Sequence, residues 1–418
     1  MYNYKKMFVM LFLGFGSGLP YILLISTSTA WLRDVNVDLS YIGFFTWITF
    51  TYTFKFAWAP LVDRFSVPFL AQYGHRKSWI AFMQILIFLS LLFISNIDPI
   101  ENFILFCAVG ATIAFAGSIQ DIAIDAFRIE YAHISDQGNL AASYQLGYRL
   151  AIIAATSIAL IFADINGWSM TFKLMAGLMC LGLLGVIFSK EEKNKELGKL
   201  DFINSIVEPL KDFFSRFGMF MASILLLIIA TYRLTDIVMG PMATPFYIDM
   251  GFTLTEIGAV VKVIALFASI FGIFFGGLLI KKIKIFKSLL LGAFLVMLTN
   301  ILFAYVAVSE KSISSLAMIV AMDSLAAGIV GTVNIAFLTS LVSKKYTGFQ
   351  YALLTGFMAG PGFVLKGLSG VWANHLQEIF GFAYGWMAFY ITTSMLTIPS
   401  ILLLFSYRNF LIEHEKTL

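Results

Sequence analysis

Charge, cysteine, histidine and proline are all scarce in this 418-residue sequence, and the shortages exclude whole classes of protein. Charged residues make up 12%, about half of the roughly 25% that a soluble domain uses to cover itself. Water therefore cannot be the main solvent. The two cysteines, Cys107 and Cys180, sit inside apolar runs, which leaves no disulfide framework and no zinc cluster. The four histidines (His75, His133, His375, His414) are too far apart for metal-ligand spacing, so no metal or cofactor is expected. No Gly-rich phosphate loop is present, which argues against ATP coupling within the chain. The net charge of +4 does not indicate nucleic acid, because Lys and Arg fall in short segments between apolar runs.

Apolar residues are correspondingly abundant, at 60% hydrophobic and 16% aromatic. That is about 250 side chains, enough for twelve spans of about 20 residues. The runs predict helices at roughly 7–32, 40–62, 79–96, 102–126, 142–163, 169–188, 217–243, 254–280, 285–308, 312–341, 347–372 and 385–407. Backbone polar groups in lipid must pair within their own segment, and no strand-like alternation competes. The expected class is an all-α integral membrane protein with twelve transmembrane helices. Lys5 and Lys6 precede an apolar stretch without a small-residue cleavage site, which predicts an uncleaved first helix.

Loop Lys and Arg are lopsided. One side carries 20, among them Lys5, Lys6, Arg64, Arg76, Lys77, Arg128, Lys190, Lys281, Lys282, Lys284, Lys344, Lys345 and Arg408, against Arg33 and Lys311 on the other. The positive-inside rule then puts both termini in the cytoplasm. The longest polar stretch, 189–216, separates six spans from six. It predicts an N-terminal half (1–188), a linker and a C-terminal half (217–418). Phe202, Ile206, Leu210 and Phe213 space like an amphipathic helix along the cytoplasmic face, most simply a tether between halves. Basic loops after spans 2 and 8 occupy equivalent positions, as in the parallel six-helix halves of the major facilitator fold.

Charge at a helix centre in lipid costs at least about 2.5–3.5 kcal/mol, so each case needs a use. The first half places Lys55, Asp121, Asp125 and Arg149 within spans; the second places Arg233, Asp236, Lys262, Asp323 and Lys366. On a helix, Asp125 lies about 40° from Asp121 and Arg128 about 20° to the other side, which makes one polar stripe. Span 5 returns Tyr144, Gln145, Tyr148 and Arg149 at similar depth, which predicts an Asp121–Arg149 pair. Either that pair holds spans 4 and 5 permanently, or Asp121 takes up a coupling proton when the pair opens. Asp125 and Asp323 are further proton-site candidates. Asp125 and Arg128 also suit a gate with Asp63, Arg64 and Arg76.

Arg233 and Asp236, at i,i+3, either neutralise each other or line a cavity. They lie just before Gly240-Pro241, where span 7 is expected to bend. Lys55, Lys262 and Lys366 either snorkel, Lys262 and Lys366 towards the outer surface, or act as cavity cations for a carboxylate- or phosphate-bearing solute. Trp47 and Trp58 lie within span 2, where they pack or stack on a sugar ring. Trp31, Trp79, Trp168, Trp372 and Trp386 fall at span ends, as interfacial anchors do. Gly14 to Pro20 is expected to weaken span 1, and Gly360-Pro361-Gly362 to interrupt span 11.

Several of these stretches are familiar. Gly14-Phe15-Gly16-Ser17-Gly18-Leu19-Pro20 followed by Trp31-Leu32-Arg33-Asp34 resembles the opening of the AmpG muropeptide permeases. So do Lys55-Phe56-Ala57-Trp58-Ala59-Pro60 with Asp63-Arg64, and Gln120-Asp121-Ile122-Ala123-Ile124-Asp125-Ala126-Phe127-Arg128. Leu146-Gly147-Tyr148-Arg149 and the corner at Asp164, Gly167 and Trp168 match as well. The basic loop departs, with Gly74-His75-Arg76-Lys77 where the family has an arginine-rich run. The resemblance covers the first half closely and the second mainly by span pattern.

The resemblance implies a proton-driven importer in the bacterial inner membrane. Its cargo would be N-acetylglucosamine–anhydro-N-acetylmuramic acid and attached peptides, recovered during peptidoglycan recycling. The substrate-binding candidates are Lys55, Tyr148, Arg149, Arg233, Asp236, Lys262 and Trp47. Related eukaryotic carriers move acetyl-CoA, so another anionic cargo stays open, as does a uniporter without proton coupling. The expected partners are a small solute, protons and the lipid bilayer, with no nucleic acid, and a monomer is expected to suffice. An embedded enzyme would want a His, Glu or Cys constellation at one depth, and the spans offer only carboxylate and Arg pairs.

Overall fold

The computed structural model describes residues 4–131, 137–191, 202–343 and 347–416, and every regular element among them is helical. The segments group into twelve long helices: α1 (Tyr4–Asp34), α2 (39–64), α3 (His75–Ile94), α4 (Phe103–Tyr131), α5 (137–166), α6 (167–188), α7 (Met219–Asp249), α8 (254–283), α9 (285–308), α10 (Ile313–Leu341), α11 (Thr347–Phe380) and α12 (Phe382–Ser406). A linker helix (Phe202–Phe217) precedes α7, and a C-terminal helix (Arg408–Lys416) follows α12. Among the described residues, eight helical stretches have the length and apolar composition of membrane spans. Two of these, Ala142–Phe188 and Leu254–Val308, are helix pairs joined at a kink. The protein is a multi-pass membrane protein.

Two compact units form. One contains Met1–Val37, Phe45–Gly198 and Thr253–Lys262, the other Asp38–Phe44, Lys199–Phe252 and Val263–Leu418. In unit 1, α1 lies along α5 and α6, and α3 packs on α4 and α6. α1 and α5 cross closely because Gly14 meets the Tyr144 carbonyl and Gly147 meets that of Leu11, so a side chain at either would collide. In unit 2, α7 packs on α11 and α12. Phe213 of the linker helix joins a buried cluster with Leu225, Phe337 and Leu404.

The units share a frame. Trp168 at the start of α6 donates its indole N–H to Asp34 at the end of α1, at 2.7 Å. Trp386 at the start of α12 does the same to Asp249 at the end of α7, at 2.9 Å. A glycine with positive φ opens each of these helices, Gly167 (φ 78°) directly before Trp168 and Gly381 (φ 80°) five residues before Trp386, a conformation costly for any other residue. A second device also repeats. Glu191, just beyond α6, accepts the N–H groups of Arg76 and Lys77 at 2.9 Å each, capping α3. Glu415, beyond α12, accepts the Ile285 N–H at the start of α9. Carboxylates suit helix N-termini, where open N–H groups and the helix dipole both attract negative charge.

Breaks fall elsewhere than the Gly and Pro residues predict. α1 is helical through Gly14–Pro20 and loosens only afterwards, in a π turn at Leu23–Thr27. α11 runs unbroken through Pro361. α7 continues through Pro241 and breaks at Arg233 (φ −109°, ψ 12°). A new helix starts there, and Asp236 in its first turn favours that position electrostatically. The least regular helix is α2, where 3₁₀ turns at Thr46–Thr49 and Lys55–Ala57 interrupt short α pieces.

Candidate functional site

Pro20 has no N–H to give the Gly16 carbonyl one turn back, which leaves that acceptor open. Gln120 of α4 takes it, donating from Nε2 at 2.8 Å. The next residue on each helix then meets its neighbour. Ser17 Oγ donates to Asp121 Oδ1 at 2.5 Å and lies 2.7 Å from the Tyr144 hydroxyl of α5. Two motifs separated by about a hundred residues are thus interlocked residue by residue, through one helix-breaking proline.

Tyrosines surround this core. The Tyr21 and Tyr52 rings meet edge-on, with centroids 4.8 Å apart. The Tyr52 hydroxyl is buried over Gly117 with no hydrogen-bond partner among the described residues. Tyr148 lies beside Gly18, its ring 6.5 Å from that of Tyr144. Asp125, one turn along α4, has a different setting. Lys55 Nζ lies 3.8 Å from one of its oxygens and Arg128 Nη2 3.6 Å from the other. The Arg128 guanidinium stands 5.9 Å from the Tyr144 ring centroid. Lys55 and Asp125 are 44% and 42% exposed, so the pair is worth about 0–1 kcal/mol and positions charge more than it holds the fold.

The expected Asp121–Arg149 ion pair does not form. Asp121 is held by Ser17, and half-buried Arg149 neighbours Tyr148 without an ion pair among the described residues. Similar depth brings two side chains together only if helix rotation also does, and α5 turns its tyrosines towards Asp121. Of the gate candidates, Arg76 is 5% exposed. It donates to the Val62 carbonyl and to Glu130 Oε1, each at 3.3 Å. The latch expected with Asp63 and Arg64 falls on side chains outside the described set. Trp47 is half-buried in the first 3₁₀ turn of α2. Trp58 packs edge-on against Phe115 at 5.1 Å.

Lys262 also belongs to unit 1. Its ammonium donates to Ser26 Oγ at 3.2 Å, beside a second π turn at Ile257–Val261. That turn meets a third, at Ala154–Ile158, which in turn meets the one in α1. π turns are rare and recur at functional sites.

Unit 2 offers less. Thr299 of α9 supplies the partner that Asp323 lacks in sequence, donating to Oδ1 at 2.8 Å. Tyr247, Tyr390 and Asp236 are among its other polar neighbours. Arg233 and Asp236 pair with each other, Nε to Oδ2 at 3.4 Å. Lys366 is 8% exposed, its ammonium 5.2 Å from the Phe363 ring centroid, so it does not snorkel as expected. A groove of about 520 Å³ between α8, α9 and α10 is lined by groups such as Phe267, Phe271, Leu298 and Met322 and presents no charge.

Sequence reasoning missed Ser17, Glu130, Glu191, Glu415 and Gln350. Gln350 is 1% exposed and ties the linker helix down. It donates to the Pro209 carbonyl (2.9 Å) and Asp212 (2.8 Å), and accepts from Arg216 (3.0 Å) and the Ser343 N–H (2.7 Å). The linker is therefore docked against the end of α10, through Leu341, and the first turn of α11, through Gln350. Only Ser17 carried a signal, as a polar residue within a Gly-rich apolar run.

The sequence profile of the Major Facilitator Superfamily matches residues 7–365. A putative transporter AmpG 4 of Rickettsia conorii is 30% identical over 406 residues, covering 96% of this chain and 95% of the relative. The anhydromuropeptide permease of Escherichia coli K12 is 31% identical over 403 residues, covering 96% of this chain and 79% of the relative. Among solved structures, a bacterial homolog of the human lysosomal transporter Spinster superposes with a TM-score of 0.73 at 12% identity, covering 99% of both chains. The nucleoside transporter NupG, as its D323A mutant, gives 0.72 at 12% identity, covering 97% of this chain and 99% of that one. These structural likenesses establish the fold.

Proposed function

The chain belongs to the Major Facilitator Superfamily, among the AmpG transporters, and on that premise we propose that it imports cell-wall muropeptides by proton symport. As a member it is a transporter of a small solute and not an enzyme. The cargo proposed is N-acetylglucosamine–anhydro-N-acetylmuramyl peptide, brought across the bacterial inner membrane with both termini in the cytoplasm. The halves proposed are 1–188 and 217–418, joined by the linker.

One observation carries the reading: Asp121 sits within a membrane span, hydrogen-bonded to Ser17 beside Tyr144, and forms no ion pair among the described residues, Lys55 being paired with Asp125 instead. A carboxylate placed there at a cost of a few kcal/mol marks a functional site by default, and proton carriage is the function proposed for it. Asp125 and Asp323 are proposed as its auxiliaries. Lys55, Tyr148, Arg149 and Trp47, with Lys262 and Lys366, provide cations, rings and hydrogen bonds for an anionic glycopeptide, whereas Arg233 and Asp236, which pair with each other, are proposed to support the fold. Asp63, Arg64, Arg76, Asp125 and Arg128 are proposed to form a gate at the basic end.

The test is uptake of labelled anhydromuropeptide by right-side-out vesicles under an imposed proton gradient. Accumulation that a protonophore abolishes is expected. Entry that only equilibrates, with or without the gradient, would make the protein a uniporter, and no entry at all would remove this cargo.

A further inference from the structure

The Ser17 hydroxyl has one hydrogen and two neighbours, Asp121 Oδ1 at 2.5 Å and the Tyr144 hydroxyl at 2.7 Å. With Asp121 ionised the carboxylate only accepts, so Ser17 must donate to it, and Tyr144 must donate to Ser17. Both hydrogens then point at Asp121, and Tyr144 has none left to offer. When Asp121 takes up a proton it donates to Ser17 Oγ instead. The Ser17 hydrogen turns to the Tyr144 oxygen, and the Tyr144 hydrogen is released to another acceptor. No bond breaks apart from the proton's arrival; the chain of two hydroxyls reverses its direction. Ser17 is 1% exposed, so water does not interrupt the chain.

We propose that Ser17 and Tyr144 form a relay that reports the protonation state of Asp121 to α5, so that Tyr144 donates a hydrogen bond to the cargo only when Asp121 carries a proton. The ligand chemistry required is an acceptor oxygen, such as a sugar hydroxyl, an amide carbonyl or a carboxylate. The proposal rests on Asp121 being the coupling site. It adds how proton and cargo become linked: each favours the state that the other needs, and the linkage is reciprocal. Ser17 acts here as a positioning residue for the transport step, and Tyr144 as the group that meets the cargo.

Other titratable groups around Asp121 do not provide this link. Tyr21 of α1, Tyr52 and Lys55 of α2, Asp125 of α4 and Tyr148 of α5 face it, with Arg128 beyond them on Asp125 and Arg149 beside Tyr148. Ser17 is the one side chain among the described residues that hydrogen-bonds to its carboxyl. On the other face of α4, α3 carries no titratable residue from Ser78 to Ile94. Lys55 and Arg128 are engaged with Asp125.

The experiment measures the apparent affinity for labelled anhydromuropeptide against pH, in vesicles carrying wild type, Ser17→Ala, Tyr144→Phe or Asp121→Asn. Wild-type affinity should improve by about 5-fold or more as pH falls, the usual scale of linked binding. Tyr144→Phe, which lacks the donor, should flatten this dependence at the weak, high-pH value, and Ser17→Ala, which leaves the Tyr144 hydrogen free at every pH, should flatten it at the tight value. Asp121→Asn, whose amide can donate to Ser17 as the protonated acid does, should stay at the tight value at every pH while losing uphill accumulation. If Ser17→Ala fails to insert, Tyr144→Phe decides alone, because its ring still packs under Arg128. A wild-type pH dependence in Tyr144→Phe overturns the relay while leaving Asp121 as the proton site. Uphill, gradient-driven uptake by Asp121→Asn overturns the underlying reading.

Discussion

The two units repeat their scaffolding but not their chemistry. Each closes a corner with a Trp-to-Asp hydrogen bond, Trp168 to Asp34 and Trp386 to Asp249. Each caps an inner helix with a carboxylate from beyond its last long helix. Inside that frame they differ. Unit 1 surrounds Asp121 with Ser17 and Tyr144 and places Lys55 and Arg128 on Asp125 one turn away. Unit 2 gives Asp323 one threonine and lets Arg233 and Asp236 neutralise each other. A duplicated fold therefore specifies where helices stand and leaves each half free to specialise. The connected network in unit 1 suits proton handling, and the self-contained pair in unit 2 suits support of the fold.

That division is broken most directly by comparing the two carboxylates. Asp121→Asn should abolish gradient-driven accumulation, a fall of at least about 10-fold, because a charge site kept in a span at such cost has a function to lose. Asp323→Asn should reduce the uptake rate by less than about 5-fold, the scale of one neutral hydrogen bond. Uptake ratios at equal expression decide this. If Asp323→Asn is the variant that abolishes accumulation, the roles of the units are reversed.

A smaller effect is expected at the unit 2 pair. Asp236 is 18% exposed and Arg233 31%, so removing one partner strands a poorly hydrated charge. Asp236→Asn should cost about 1–3 kcal/mol of stability, and the double replacement Arg233→Met with Asp236→Leu should recover most of it. Thermal unfolding in detergent measures both. A double variant that is stable but inactive in uptake would instead assign the pair to the cargo path.

How much of this could be read from sequence depends on which physical rule governs each feature. The helices and their number were legible because lipid leaves the backbone no alternative to helix over long apolar runs. The polar stripe from Gln120 to Arg128 was legible because helical periodicity is local. Its partners were not. Ser17 rather than Arg149 meets Asp121 because facing depends on helix rotation, which spacing within one helix does not reveal. Lys55 reaches Asp125 from a helix with two 3₁₀ turns, each of which rotates residues by about 120° rather than 100° and shifts the facing side chain. Glu191 and Glu415 lie in polar tails that read as solvated. Glycine and proline misplaced the breaks because neighbouring helices repair them, as Gln120 does for the Gly16 carbonyl.

The smallest predicted effect tests the repeated scaffolding itself. The tryptophans looked like membrane-interface anchors, yet Trp386 is fully buried and Trp168 only 8% exposed, and both hydrogen-bond to carboxylates. Phenylalanine would keep the ring and lose the donor. Asp34 is exposed and can recover its hydrogen bond from water, whereas Asp249 is half-buried and has less access to it. Trp168→Phe should therefore cost about 0.5 kcal/mol and Trp386→Phe about 1.5 kcal/mol, the two ends of the range for a single hydrogen bond. Thermal unfolding of both single variants and the double variant measures the difference. Independent corners should add, because they lie in separate units. Equal losses would mean that the repeated bond is worth the same wherever it stands, and that solvent access to the acceptor does not distinguish the halves.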